Sequence, residues 1–352
     1  LALLLIWTFV WVNIRGVKSY ERILLPMMFL MFALGGIVII AGFSYDTNDF
    51  LSALKEKEGH DFTVVTDIDF DWRIFLSAAA LLFSSFIGFD SIAQAGGEAK
   101  IPTRSIPTAI LLAILGVGCF YFLFAAAVYH TIPWSFVAAE AMEHDITAPG
   151  LLSYVLPSSL GVAILTGAAI ALINDLPAML LSVSRLMFAW AKDGIFPSSI
   201  SRIHAKNHTP YMALLVAGTI ASIGVLGSHF AGDFFLGIDI MVTSMMVNFL
   251  LMCITLLSIG KVNPTLAQKI AVLKNRNLQL IIGWLGVITL MSFLSIHLYK
   301  DLTAQTEAWY FHSTPIWLIV MALASLIFAY KWRKLKKSRP NVSKQFLELP
   351  EE

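Results

Sequence analysis

The stretch Phe83-Ser84-Ser85-Phe86-Ile87-Gly88-Phe89-Asp90-Ser91 interrupts an apolar run that begins at Ile74 and fades by Ala95. Upstream of it the sequence reads as an ordinary hydrophobic helix. From Gly88 onward, Asp90, Ser91, Gln94, Gly96 and Gly97 bring in charge, hydroxyl and amide groups, and glycine permits torsions that a helix does not use. Irregular backbone survives at membrane depth only where protein buries it or a wet cavity bathes it. The stretch therefore predicts a helix broken halfway, a place for something polar to bind.

That this run lies in a membrane follows from composition. Of 352 residues, 58% are hydrophobic and only 13% are Asp, Glu, Lys or Arg, half of the roughly 25% found in soluble domains. So few charges cannot furnish the polar skin of a soluble protein this size, so much of the apolar surface must face lipid. The formal net charge of +1 gives no basic field for nucleic acid. Cys119 and Cys253 both sit inside apolar runs and read as small hydrophobes, with neither disulfide nor metal spacing.

Nine apolar runs are candidate spans, since crossing a bilayer takes about 20 apolar residues. They are Leu1–Asn13, Leu24–Phe43, Ile74–Phe89, Ile106–Ile132, Leu151–Trp190, Tyr211–Leu226, Phe234–Ile259, Leu278–Leu298 and Pro315–Tyr330. The first opens in mid-span at Leu1, so the chain reads as a piece of a longer protein lacking its earlier spans. With nine spans alternating across the bilayer, every Lys and Arg falls on one side except Lys55, Lys57, Arg73 and Lys300. The positive-inside rule makes the basic side cytoplasmic, the C-terminus included. Splitting Leu151–Trp190 into two spans would scramble this sorting. The basic cluster Lys331–Arg339 reads as a topology anchor on anionic headgroups. Pro264–Asn277, with Leu266, Ile270 and Leu273 among basic residues, reads as an amphipathic surface helix.

The informative residues are those that hydrocarbon rejects, because an intramembrane carboxylate costs at least ~2.5–3.5 kcal/mol. Asp90 marks the break. Asp175 lies in Ala169-Ile170-Ala171-Leu172-Ile173-Asn174-Asp175-Leu176-Pro177-Ala178-Met179, where Pro177 removes a backbone donor and frees a carbonyl near Ile173. A carboxylate beside a freed carbonyl offers hard oxygen ligands to a small cation; alternatively the carboxylate itself takes a proton. Asp239 reads as a solvated helix end, and Asn248 as an interhelical hydrogen-bonding residue. No Walker loop, paired-His metal motif or nucleophile–base constellation is present, which points away from enzymes and ATP-driven pumps and toward secondary transport.

Three segments carry a family resemblance. Phe86-Ile87-Gly88-Phe89-Asp90-Ser91, with Gly97-Glu98-Ala99-Lys100-Ile101-Pro102-Thr103-Arg104-Ser105-Ile106-Pro107, resembles the sixth span and following loop of amino-acid permeases of the amino acid–polyamine–organocation superfamily. Ser184-Arg185-Leu186-Met187-Phe188-Ala189-Trp190-Ala191-Lys192-Asp193-Gly194-Ile195-Phe196-Pro197, with Thr209-Pro210, resembles the end of the eighth span and its loop. Asn13-Ile14-Arg15-Gly16-Val17-Lys18 resembles the link between the fourth and fifth.

The resemblance implies an all-α membrane protein of the LeuT-type inverted-repeat fold, with nine transmembrane helices equivalent to spans four to twelve. It assigns residues 1–45 to the last two helices of the first repeat and 72–260 to the five-helix second repeat. Residues 278–332 would be two C-terminal helices, and 333–352 a cytoplasmic tail. It further implies an amino-acid substrate whose α-amino group meets the backbone of Ser85 to Gly88, with Ser84, Phe86, Ile87 and Asp90 beside it. Ser84 stands near where many relatives place a gating aromatic, with Phe83 or Phe86 as stand-ins. Asp90 lies near a Glu of some related antiporters. Met31 takes the place of a lysine found in proton-coupled relatives, so the coupling ion is expected to be sodium, held by Asp175 with Met179 in the same run, or else a proton. The expected function is cation-coupled amino-acid transport in a cell membrane, without cofactor or nucleic-acid partner. The alternatives are an ion-independent exchanger and a non-transporting receptor or scaffold.

Overall fold

The computed structural model describes residues 1–59, 61–65, 70–94, 96, 101–144, 146–231, 235–268, 270, 272–305, 309–339 and 342. Among the described residues there are helices and turns but no strand. In chain order the helices are α1 (Ala2–Ile14), α2 (Val17–Ser44), α3 (Thr47–Glu58), α4 (Trp72–Leu82), α5 (Ser91–Gln94), α6 (Pro102–Thr131) and α7 (Trp134–Glu143). There follow α8 (Ala148–Leu152), α9 (Ser158–Lys192), α10 (Tyr211–Ala231), α11 (Phe235–Val262), α12 (Pro264–Gln268), α13 (Arg276–Thr303) and α14 (Ser313–Ser338).

Seven of these, α2, α6, α9, α10, α11, α13 and α14, are long and apolar enough to cross a membrane. All nine apolar runs fall on helices; the two outside the seven are the 13-residue α1 and the interrupted α4. The run Leu151–Trp190 is carried mainly by α9, a single helix of 35 residues. At 1.5 Å per residue it is about 52 Å long, more than a ~30 Å hydrocarbon core requires.

Two compact units divide the chain: residues 8–70 with 112–179, and residues 1–7 with 71–111 and 180–352. In the first, the ends of α2 and α6 are fastened to each other. The buried Thr131 hydroxyl donates to the carbonyls of Gly42 (2.6 Å) and Tyr45 (3.1 Å), and His130 Nδ1 meets the same two oxygens at 3.2 and 3.1 Å. Since a carbonyl only accepts, His130 carries its proton on Nδ1. A Cβ on Gly42 would lie 2.5 Å from the Ala127 carbonyl oxygen, so the contact admits only glycine. Beyond this joint α3 is closed by a capping box: Asp46 Oδ1 accepts from Asn48 and Asp49 N–H at 2.8 and 2.9 Å, and Asp49 Oδ2 accepts from Asp46 N–H. The Asp49 backbone bond is the main reason the Asp46 carboxyl sits below the usual carboxylate range. Fully buried Phe50 and Leu54 on α3 pack with Phe136 of α7 and Leu151 and Leu152 of α8. Phe50, Phe62, Phe136 and Tyr154 meet mostly edge to face, with ring centroids 5.0–6.0 Å apart. The Tyr154 hydroxyl donates to Glu58, which pushes its pKa up to about 12.

In the second unit α11 and α13 pack closely because Gly283 and Gly286 leave room for Leu257 and Cys253. A Cβ on Gly286 would stand 2.6 Å from the Cys253 sulfur, the small-residue contact typical of membrane helix pairs. Both oxygens of Asp301 accept from the first amides of α14, Ser313 and Thr314 N–H, each at 2.8 Å. These bonds satisfy two of the donors that a helix start leaves without partners. Cys119 and Cys253 are free thiols.

Two sequence expectations are corrected here. The amphipathic helix over 264–277 is reduced to the five residues of α12. Arg276 donates to the carbonyls of Leu256 (2.9 Å) and Leu257 (2.7 Å), Gln279 donates to the Leu273 carbonyl, and Asn275 caps α13. These bonds draw the chain straight back into the next helix. Asn248 lies on an exposed face of α11; the buried polar link from α11 to α13 is Thr243 Oγ1 to His297 Nε2, 3.1 Å.

Candidate functional site

Helix α4 stops at Leu82, tightens into a 3₁₀ turn over Phe83–Phe86, turns through Ile87–Asp90 and resumes as the single-turn α5. The break expected from sequence is present. Gly88 has φ +127°, and a Cβ there would meet nothing within 4 Å. Glycine is therefore required for the torsion and not for space. Side chains on either flank seat the break. Phe83 and Ile87 pack against Val242 and Met246 of α11 and Leu294 of α13. Phe89 stacks on Phe249 at 5.1 Å and 17°, and Phe83 meets the same ring edge-on at 5.9 Å.

Asp90 is buried, at 6% exposure. Its Oδ1 accepts from Gly88 N–H at 3.2 Å and its Oδ2 from Gln94 Nε2 at 3.5 Å. It thus grips the turn before it, as well as the end of α5, and is not a simple cap on the amides that follow. Ser85 and Phe86 are exposed, Ile87 and Gly88 half-buried. The Ser84 side chain lies outside the described residues, as do the loop positions 97–100 of the family-like motif.

Asp175 sits midway along α9, which runs on unbroken through Pro177. It shares an exposed stripe with Leu172 and Met179, while Asn174 and Pro177 occupy the buried face. The polar contact at the proline belongs to Asn13 at the end of α1. Its Nδ2, at 2% exposure, donates to the carbonyls of Phe9 (3.0 Å) and Pro177 (3.3 Å). The oxygens of Asn13 and Asn174 are buried and meet no donor among the described residues. The sequence marks Asn13 only as the end of the first apolar run and the start of a family-like motif, and does not single out Thr243 or His297. The available signal was the same in each case, a polar side chain within or closing an apolar run. No group of three or more His, Cys, Asp or Glu side chains able to hold a metal occurs among the described residues.

A broken, aromatic-seated helix within a bundle of membrane-length helices is a transporter-like arrangement, and comparison with known proteins agrees with it. The family model for amino acid permeases matches residues 1–323. The chain belongs to the amino acid permease family. Its seven helices long and apolar enough to cross a membrane accord with a multi-pass membrane protein of that family. It is similar to the branched-chain amino acid permease BcaP of Bacillus subtilis, 34% identical over 156 residues, covering 43% of this chain and 31% of that protein. It is also similar to the low-affinity putrescine importer PlaP of Escherichia coli, 28% identical over 218 residues, covering 60% of this chain and 46% of that protein. A third relative, cationic amino acid transporter 4 of Mus musculus, is 27% identical over 148 residues, 42% of this chain and 22% of its own. The chain thus spans less than half the length of each of these relatives.

Proposed function

We propose that the protein carrying this chain is a secondary transporter that moves amino acids by alternating access, coupled to a cation. The observation that carries the reading is the break at residues 83–90. It combines a glycine-only torsion, a buried carboxylate and aromatic seating within a permease sequence. A broken helix presents peptide groups that a continuous one keeps in its own hydrogen bonds, and these are the groups that a zwitterion's charged ends need. Residues 72–260 form the second inverted repeat of a LeuT-type arrangement, and residues 1–45 the last helices of the first. The Ser85–Gly88 backbone receives the substrate ammonium.

Sodium is the coupling ion in this reading, with Asp175 as an oxygen ligand and Met179 beside it; a proton taken up by Asp175 is the second choice. Asp175 is supported as the coupling residue by its cost: a carboxylate halfway along a 35-residue apolar helix has no place without a task. The basic end of α14, with Arg333, Lys334, Lys336 and Lys337 exposed, faces the cytoplasm of a cell-membrane protein.

The test is uptake of radiolabelled leucine, lysine and putrescine by proteoliposomes, with and without imposed sodium and pH gradients. Saturable amino-acid uptake raised by a sodium gradient is expected. Uptake indifferent to both gradients, with counterflow intact, would replace coupling by exchange. Binding without flux would replace transport by a receptor role.

A further inference from the structure

The three relatives named above carry substrates of different charge by their printed names, so the task of the one buried acid in the break matters. A carboxylate there has two possible roles: a counter-ion for a cationic substrate, or a part of the scaffold. The geometry separates them. Asp90 Oδ1 takes the Gly88 N–H and Oδ2 faces the Gln94 amide, and the side chain is nearly inaccessible. Both oxygens are turned to donors of the break itself.

The consequence lies in the peptide plane. Gly88 N–H and Ile87 C=O are opposite edges of one rigid trans peptide. Fixing the N–H toward Asp90 turns the Ile87 carbonyl away from it. Among the described residues that carbonyl meets no backbone donor, whereas the next three carbonyls, of Gly88, Phe89 and Asp90, accept from Ser91, Ile92, and Ala93 with Gln94. Gly88 supplies a torsion that other residues resist, the Ile87 and Phe89 side chains anchor the turn to apolar neighbours, and Asp90 locks the one peptide these leave free to swivel.

Resting on the transport reading above, we propose that Asp90 is a positioning residue: it holds the Gly88 amide so that the Ile87 carbonyl is presented to the substrate, and it does not act as the substrate's counter-ion. Asparagine keeps an acceptor for the Gly88 N–H, and Gln94 can turn its own oxygen toward the new amide. Alanine takes away the acceptor of that half-buried N–H and frees the peptide to swivel.

The experiment compares Asp90→Asn, Asp90→Ala and wild type in proteoliposomes, measuring KM and maximal rate for leucine and lysine across pH 5.5–8. Asp90→Asn is expected to keep KM within about threefold, with the wild-type leucine-to-lysine ratio and pH profile. Asp90→Ala is expected to raise KM by about tenfold or more, roughly 1.4 kcal/mol. Selective loss of lysine uptake in Asp90→Asn would make Asp90 a counter-ion and overturn the proposal. So would a flattened pH profile in that variant, or an Asp90→Ala protein with wild-type KM. A wild-type protein that moves no amino acid would instead refute the transport reading on which this rests. Size-exclusion profiles in detergent for each variant exclude misfolding as the cause of lost uptake.

Discussion

Replacing Gly88 by alanine adds one methyl group to a position where nothing stands within 4 Å. Steric clash with neighbours therefore contributes nothing, and the whole effect must come from φ +127°. A non-glycine residue held in such a region costs about 1–3 kcal/mol. If the broken conformation is the one that binds, its population falls by about fivefold to 150-fold, since each 1.4 kcal/mol is a factor of ten, and apparent affinity falls with it. The assay is the concentration dependence of leucine uptake in proteoliposomes, read as KM. Gly116→Ala in α6 is the matched control: its methyl also enters open space, but in a helix, where alanine is favoured by about 0.5–1 kcal/mol. Gly88→Ala should shift KM by at least fivefold while Gly116→Ala leaves it within error. Equal KM in wild type and Gly88→Ala would refute the claim that the break is the binding element.

Other perturbations address separate parts of the account. Asp175→Asn should abolish stimulation of uptake by sodium while leaving downhill exchange measurable; sodium stimulation that persists removes Asp175 from coupling. Thr131→Val deletes the hydroxyl that joins α6 to the Gly42 and Tyr45 carbonyls. It should lower stability in detergent by roughly 1–2 kcal/mol, with Thr131→Ser closer to wild type. Glu58→Gln should bring the Tyr154 pKa from about 12 back toward the ordinary tyrosine value, seen as a spectrophotometric difference against Tyr154→Phe. Because that pKa is raised in the folded state, the contact's contribution is whole below the unfolded tyrosine pKa, near 10. It is lost as pH rises through about 12.

Much of this architecture was legible in the residues because hydrocarbon is an unforgiving solvent. Among the described residues most of each apolar run is helical, and the long run ending at Trp190 holds one span-length helix, α9. The break at Gly88 could be read because glycine followed by Asp90 and Ser91 has no stable place in a continuous lipid-facing helix. What escaped notice depended on partners distant in sequence. Nothing near Asn13 announces that it will reach Pro177, and nothing near His297 announces Thr243. The aromatic group of Phe50, Phe62, Phe136 and Tyr154 assembles from four segments outside the spans. The surface helix over 264–277 failed because three apolar residues are too few to fix a period, while Arg276 had carbonyls of α11 to bind. For Asp175 the sequence pointed to a carbonyl near Ile173, whereas the carbonyl that meets a side chain here is that of Pro177 itself, bonded by Asn13. Pro177 turns to the buried face of α9 and Asp175 to the exposed one, as two residues of helical rotation, about 200°, require.

The most direct test of the central claim is protection of a single cysteine placed at Ser85, an exposed position in the break, in a background with Cys119 and Cys253 replaced. Modification of this cysteine by a water-soluble thiol reagent should slow at least severalfold when a transported amino acid is present at saturating concentration. A cysteine at Ser52, exposed on α3 outside the spans, should react at the same rate with and without it. Unchanged modification at residue 85 under saturating substrate would contradict a binding site built on the broken helix.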